Sequence, residues 1–504
     1  MGVLSALARA QAAATGVAQP LTTVGHLHAA AAPLVCVPLA LAGETLAPLA
    51  ALVGTDRAAP RLLVVPQPRN RDLRFAFAAA LAAEVLPYLD ARRGATEDVP
   101  ADRGRQVRVR YLDAPQVWVP NPGGVEFVRL LGRSLRFRRT DGEHPVPAAV
   151  PRLGCWLTFL ADRAELPGSA LLVAATAALG AHWATGQSAV EDAHLPALLA
   201  WIDPPEGRTG AGAAAAAEDP AVTPPAGPAT DPAFDRDVLA PLVAAYDRGA
   251  PDAPGRLAAA LRGQLTPAWD AVWRAYDLLA ALPPGATVAA RWGQDRDAFT
   301  GYAAHLDEGG LPQPRHDSAV AAAARLHRLE RAAATYALQR AYDDPLVLAD
   351  HRLAGEAFRG EVVLADPTRV DDSGRRPVLR PRITVRSADP LHLAPGTALC
   401  APGRPKQRAT LVSVEGRDAV LELRGGMGRG RTPEAGSVPE VGEVVTYTTL
   451  TDAFAPAPAF PAPEDTPWTH GGPPADPAGG DPRGGAEVPG DPPAGAPPEP
   501  VPAG

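Results

Sequence analysis

Arginine is the residue whose type and spacing offer most to chemistry in this sequence. Arg375, Arg376, Arg380, Arg382, Arg386, Arg404, Arg408, Arg429 and Arg431 recur along one stretch, with Lys406, the single lysine of the chain, among them. A guanidinium can clamp a phosphate through two parallel hydrogen bonds. Arg380, Arg382 and Arg386 share a parity, so on a continuous strand they project from one face, while Pro381 confines that strand to a sheet edge. Gly425-Gly-Met-Gly-Arg-Gly-Arg431 adds a flexible loop with two further donors. A second basic stripe, Arg129, Arg133 and Arg136, steps by four and three residues and falls on one helix face. These residues offer contact with a polyanion rather than catalysis. Base stacking would contribute little, because Tyr447 is the only aromatic residue from 359 to 450.

The patterns of common enzyme centres are missing. Lys406 stands in Arg-Pro-Lys-Gln, so the chain has no Gly-Lys-Ser/Thr phosphate loop. His182 and His194, His26 and His28, and His316, His327 and His351 lack the i, i+4 pairing or His-Glu-x-x-His frame of a zinc site. Gly186-Gln-Ser-Ala-Val190 lacks the closing glycine of a nucleophile elbow, and Cys155 sits in an apolar helical setting. Asp343-Asp344 and Asp371-Asp372 fall at a helix end and a turn, where acids serve the backbone. Cys36, Cys155 and Cys400 are odd in number and widely spaced, so they form neither a disulfide framework nor a thiolate metal site. No catalytic residue, metal or cofactor is assigned, and the expectation leans away from an enzyme.

Charge is unevenly placed. The net charge is −8, but the segment from Thr451 carries eight acidic residues and one arginine, leaving −1 for the rest. Residues 359–450 hold 14 basic and 11 acidic residues, and residues 61–139 hold 15 and 8, so both are locally positive. An acidic tail beside mildly basic folded parts can compete with nucleic acid for the same surface. The near-total preference for arginine over lysine matches a GC-rich genome, so arginine by itself is not a functional signal. The apolar runs 33–53 and 167–184 are broken by Pro, Gly or Glu, which reads against a membrane span and leaves a cytoplasmic location as the expectation.

The elements that must position these residues follow from periodicity. Pro33–Leu41 and Arg61–Val65 read as buried strands with turn material between them, and Gln106–Leu112 as a half-exposed strand. Asn70 or Asp72 caps a helix from Leu73 to Leu89, with Phe77, Leu81, Val85 and Leu89 on one face. Helices are expected at 124–139, 152–164, 169–185 and 190–202, giving an α/β and helical domain over 20–203. Residues 204–232 read as a disordered Pro/Gly/Ala linker. A helical stalk domain is expected over 233–357, where Trp269 and Trp273 stand one turn apart as core residues. In the helix 317–341, Ala322, Leu326, Leu329, Ala333, Tyr336 and Arg340 make a heptad-like stripe, with a packing partner expected within 255–282. Five strands, at 361–364, 383–386, 409–414, 419–423 and 443–448, predict a small β-barrel over 358–450. A disordered acidic tail is expected over 451–504. The fold class is thus α+β and multi-domain, with an N-terminal α/β layer and helical block and a C-terminal helical stalk plus small β-barrel.

The helix 317–341, the segment Gly355-Glu-Ala-Phe-Arg-Gly-Glu-Val-Val363 and the pattern Asp389-Pro-Leu-His-Leu-Ala-Pro-Gly396 before a strand carry a resemblance. This stretch resembles the stalk and β-barrel accessory region of superfamily-1 helicases of the nonsense-mediated-decay type. It covers about a quarter of the chain, and the motor's phosphate loop is absent. The resemblance implies a motorless relative or companion of such an enzyme, with single-stranded nucleic acid and a helicase or nuclease as partners and no ATPase activity. The leading expectation is therefore a non-catalytic nucleic-acid-associated or helicase-accessory protein. The alternatives are a protein–protein adaptor and an enzyme of unrecognised type built on the N-terminal α/β layer.

Overall fold

The computed structural model describes the chain except for Met1 and residues 45–46, 102–104, 221–222, 226, 373, 375–376, 429, 431, 452–457 and 463–504. The expected acidic tail falls almost wholly outside the described residues.

Five strands form the N-terminal sheet: β1 (Leu34–Ala40), β2 (Pro48–Gly54), β3 (Arg61–Val64), β4 (Val117–Val119) and β5 (Leu172–Ala174). Their spatial order is β3-β2-β1-β4-β5, with β1, β4 and β5 parallel and the β1/β2 and β2/β3 pairs antiparallel. Nearly every residue of β1 and β2 is buried, so the sheet needs cover on both faces. Beyond α1 (Val3–Thr15), that cover comes from α2 (Arg71–Asp90), α3 (Pro122–Leu135), α4 (Ala149–Ala164), α5 (Ala175–Gly180), α6 (Leu195–Ile202), α7 (Ala253–Ala280) and α8 (Val288–Asp307). Helices α2, α3, α4 and α8 close one face around Val53, Trp156 and Phe299. On the other face, α5, α6 and α7 close around Leu52, Trp118, Trp269 and Val272. Trp118, Trp156 and Trp269 are almost fully buried. Burying roughly 200 Å² of each is worth up to about 5 kcal/mol of transfer free energy.

The local signals behind these elements hold at α2 and fail elsewhere for identifiable reasons. Asn70 caps α2 by accepting from the amides of Asp72 and Leu73, and Phe77, Leu81, Val85 and Leu89 are buried as expected. Helices α3 and α4 approach so closely that a Cβ on Gly132 would lie 2.7 Å from the Thr158 amide nitrogen, and one on Gly154 would collide with the Arg136 backbone. Strand β2 lies between the turn residues Gly43-Glu44 and Gly54-Thr55-Asp56, where no element is expected; its alanines hide a strand buried on both sides. Residues 169–185, expected as one helix, form β5, α5 and the short strand Trp183–Ala184. A continuous apolar run does not distinguish helix from a two-face-buried strand. The expected linker 204–232 contains the helix Gly210–Ala217, whose Ala213 and Ala214 pack with Ala12 and Trp201. Helices α7 and α8, expected in a separate stalk domain, complete the two faces of the sheet instead.

Helix α9 (Ala319–Asp343) is followed by α10 (Pro345–Leu353). The expected heptad partner within 255–282 is not available, because α7 turns its apolar side to the sheet. In α9 only Leu338 and Ala341, near the C-terminal end, are buried. That end docks on α8, where the Arg291 guanidinium lies 5.2 Å from the centre of the Tyr336 ring and donates to Gln339 Oε1 at 3.1 Å.

The C-terminal strands β6 (Ala357–Asp366), β7 (Arg382–Ser387), β8 (Ala398–Ala401), β9 (Arg404–Glu415), β10 (Asp418–Arg424) and β11 (Val444–Thr448) close into a barrel in the order β6-β7-β10-β9-β8-β11. Five of the six were expected; β8 is too short to show alternation. Phe358, Val362, Ile383, Val385, Leu411, Leu421 and Tyr447 fill the interior. Gly360 permits the β6/β7 contact, since a Cβ there would collide with the Arg386 carbonyl. Among the described residues no helix is long and apolar enough to cross a membrane.

Candidate functional site

Strand alternation sends aliphatic residues into the barrel and arginines out of it. The β7/β10 register sets Arg382 opposite Glu422, and the β9/β10 register sets Arg408 opposite Arg424, two residues along on the same face. Glu422 receives Arg369 Nη1 at 2.9 Å, Arg424 Nη2 at 3.3 Å and Arg382 Nη2 at 3.6 Å. The amide of Leu423 donates to Pro381 O at 2.9 Å, which carries the pairing on and places Arg380 beside this group. Arg380 Nη1 donates to Leu379 O, and Arg408 Nη1 to Pro405 O and Gln407 O. Asp366 stands opposite Arg382 on the β6 side. One outer face therefore gathers Arg369, Arg382 and Arg424 around Glu422, with Arg380 and Arg408 placed beside them by the register.

The other predicted barrel residues divide differently. Arg386 makes two 2.9 Å hydrogen bonds with Asp418, whose carboxyl is held below its ordinary pKa by them. Arg404 holds Glu443 at 2.8 Å and lowers its pKa in the same way. Both are closed pairs. Lys406 is exposed on β9. Arg375, Arg376, Arg429 and Arg431 lie outside the described residues. Arg369 and Arg424 are two further members of this face; Arg424 has a visible signal, sharing a parity with Glu422 across the inward Leu423.

The side chains of the stripe on α3 have partners within the protein. Arg129 pairs with Glu126 at 3.1 Å and also with Glu165. Arg133 donates to Arg315 O at 3.4 Å. Arg136 is buried and donates to Gln313 O at 2.9 Å and Pro314 O at 2.8 Å, stapling that loop to the helix. Its isolation from water lowers its pKa, as burial of a cation does.

No family model, curated protein or solved structure matches this chain.

A second polar cluster, illegible in the sequence, lies where α9 meets the N-terminal domain. His26 and His182 have ring centres 5.7 Å apart, and the His26 amide donates to His182 Nε2 at 3.0 Å. His182 Nδ1 donates to Ala178 O at 2.7 Å, which fixes its tautomer. Asp344 accepts from the Thr23 amide at 2.5 Å, from Thr23 Oγ1 at 3.0 Å and from the Leu346 amide at 2.8 Å. His26 Nε2 is 3.9 Å from Asp344 Oδ2, and among the described residues neither His26 ring nitrogen has a hydrogen-bond partner. Burial, then the nearby Arg340 and His182, lower the His26 pKa to about 3. His182 is lowered too, chiefly by burial. Both rings are thus neutral at physiological pH. Next to them Asp343 accepts from the Thr287 amide at 3.0 Å and its hydroxyl at 2.6 Å, and Arg291 reaches His26 O at 2.9 Å. This cluster is a junction.

The strand ends of the α/β layer, where such folds place ligands, are occupied by the chain itself. Ala40 donates to Pro228 O at 2.6 Å, Asn121 Nδ2 donates to Gly227 O at 2.9 Å, and a Cβ on Gly123 would lie 2.6 Å from Pro228 Cδ. Among the described residues no three His, Cys, Asp or Glu side chains form a group able to hold a metal ion.

Proposed function

We propose that this chain is a non-catalytic nucleic-acid-associated protein, an accessory to a helicase or nuclease, that contacts phosphates through one outer face of its barrel. The observation that carries the reading is the convergence of Arg369, Arg382 and Arg424 on Glu422, with Arg408 opposite Arg424 on the same face. The barrel's aromatic residues, Phe358 and Tyr447, are interior, so the contact would be to the backbone and indifferent to base sequence.

The test is fluorescence anisotropy of a labelled single-stranded oligonucleotide with the full chain across a salt series. Phosphate contacts by these guanidiniums would release counterions, so log K should fall linearly as log salt rises. R382Q/R408Q/R424Q should abolish binding, whereas R386Q, drawn from a closed pair, should leave it unchanged. Binding indifferent to salt, or equal loss in both variants, would refute the interface.

A second reading, a protein–protein adaptor, is favoured by α9, whose stripe residue Ala333 is exposed and Leu329 only half-buried. Solution scattering would show a mass above that of one chain if the stripe pairs with another copy.

A further inference from the structure

Between α1, the C-terminal end of α9 and α10 lies a groove of about 740 Å³, within the range of roughly 300–1,000 Å³ typical of small-molecule sites. Leu4 and Ala8 of α1, Leu21, Ala337 of α9, and Leu346 and Val347 of α10 give it apolar walls. Four charged side chains also line it, and three are engaged within the protein. Arg9 leans on Asp192 at 3.7 Å, Asp350 accepts from the Leu4 amide at 3.2 Å, and His351 Nδ1 is 2.7 Å from Glu356. Arg340 differs. Its Nη2 donates to Ala181 O at 3.0 Å and its guanidinium lies 5.8 Å from the centre of the Tyr336 ring, but among the described residues no carboxylate comes within ion-pair distance of it. Asp344, one turn further on, uses both its oxygens on Thr23 and Leu346.

A guanidinium beside a greasy wall, with its fork incompletely used, selects an acceptor that is planar and anionic. We infer that this groove binds an amphiphilic carboxylate, its alkyl chain lying along Leu4, Ala8, Leu346 and Val347 and its carboxylate on Arg340. The inference is independent of the barrel interface. Apolar length and head-group charge are both required: Arg9, the other guanidinium of the lining, is taken up by Asp192, and the Asp350 carboxylate is taken up by the Leu4 amide.

The experiment is calorimetric titration of the full chain with decanoate, decanol and decylamine, each below its aggregation limit, with thermal melts in parallel. Decanoate should bind saturably and raise the melting temperature. Decanol and decylamine should bind at least about tenfold more weakly, the difference expected for a charge-assisted hydrogen bond. R340Q should reduce decanoate to the level of decanol. Because Ala337 is exposed on its helix, A337W should block the groove without disturbing the fold, leaving the unliganded melt unchanged and removing decanoate binding. Failure of decanoate to bind the unmodified chain, equal binding of decanol or decylamine, or unaltered binding in A337W would each overturn the assignment.

Discussion

Replacing His26 by leucine should flatten the dependence of stability on pH. His26 is neutral and buried in the folded chain, with a pKa lowered to about 3 from 6.5. The unfolded chain therefore takes up a proton below about pH 6.5 that the folded chain refuses until about pH 3. The stability contribution is fully present above 6.5 and is lost as pH falls from 6.5 toward 3. At about 1.36 kcal/mol per pH unit, lowering the pH from 7.5 to 4.5 removes about 2.7 kcal/mol through this one ring. The groups around it are Arg340, His182, Asp344 and Arg291, and none of them changes in the variant. His182 shifts in the same direction in both proteins, as do the paired carboxylates of the barrel at lower pH, so subtracting the two profiles isolates His26. Urea unfolding followed by tryptophan fluorescence suits the measurement, because seven of the eight tryptophans lie between Trp118 and Trp292 and none lies in the barrel. The unmodified chain should lose about 2.7 kcal/mol more than H26L between pH 7.5 and 4.5. Parallel profiles would mean that His26 charges freely in the folded state and that the junction is wet.

Three further outcomes follow from packing and charge. Glu422→Ala should loosen the barrel by roughly 1–3 kcal/mol, because it leaves Arg369, Arg382 and Arg424 without their shared partner; hydrogen exchange of strands β7 and β10 would report it. Gly154→Ala, although favoured by helix propensity, should destabilise the N-terminal domain by roughly 1–3 kcal/mol or more, since its new methyl meets the Arg136 backbone; an unchanged melting temperature would show that α3 and α4 can separate freely. Cys36, Cys155 and Cys400 are all buried, and burial pushes the Cys36 thiol up to about 12. Ellman's reagent should therefore find almost no reactive thiol in the native chain and all three after denaturation.

The barrel was legible because its strands alternate: Ile383 and Val385 point inward while Arg382, Thr384 and Arg386 point outward. What the outward arginines do was not legible, because their partners are fixed by register. Arg386 and Asp418 are 32 positions apart and Arg369 and Glu422 are 53 apart, separations that no local pattern records. The sheet was half legible. Strands buried on both faces have no polar alternation to mark them, so β1 and β3 showed as apolar runs while β2, rich in alanine, and β5, read as helix, did not. The junction was invisible in principle, since His26, His182 and Asp344 come from opposite ends of the domain and single histidines carry no spacing.

The two adjacent aspartates at the end of α9 face different parts of the molecule. Asp343 holds the start of α8 through Thr287, and Asp344 holds the N-terminal segment through Thr23 while capping α10, which leads directly into β6. A pull on the barrel would thus reach the sheet domain through two neighbouring peptide units, each anchored by short charged hydrogen bonds. The barrel is set like a tool in a chuck with three jaws, the two aspartates and the Leu4–Asp350 contact.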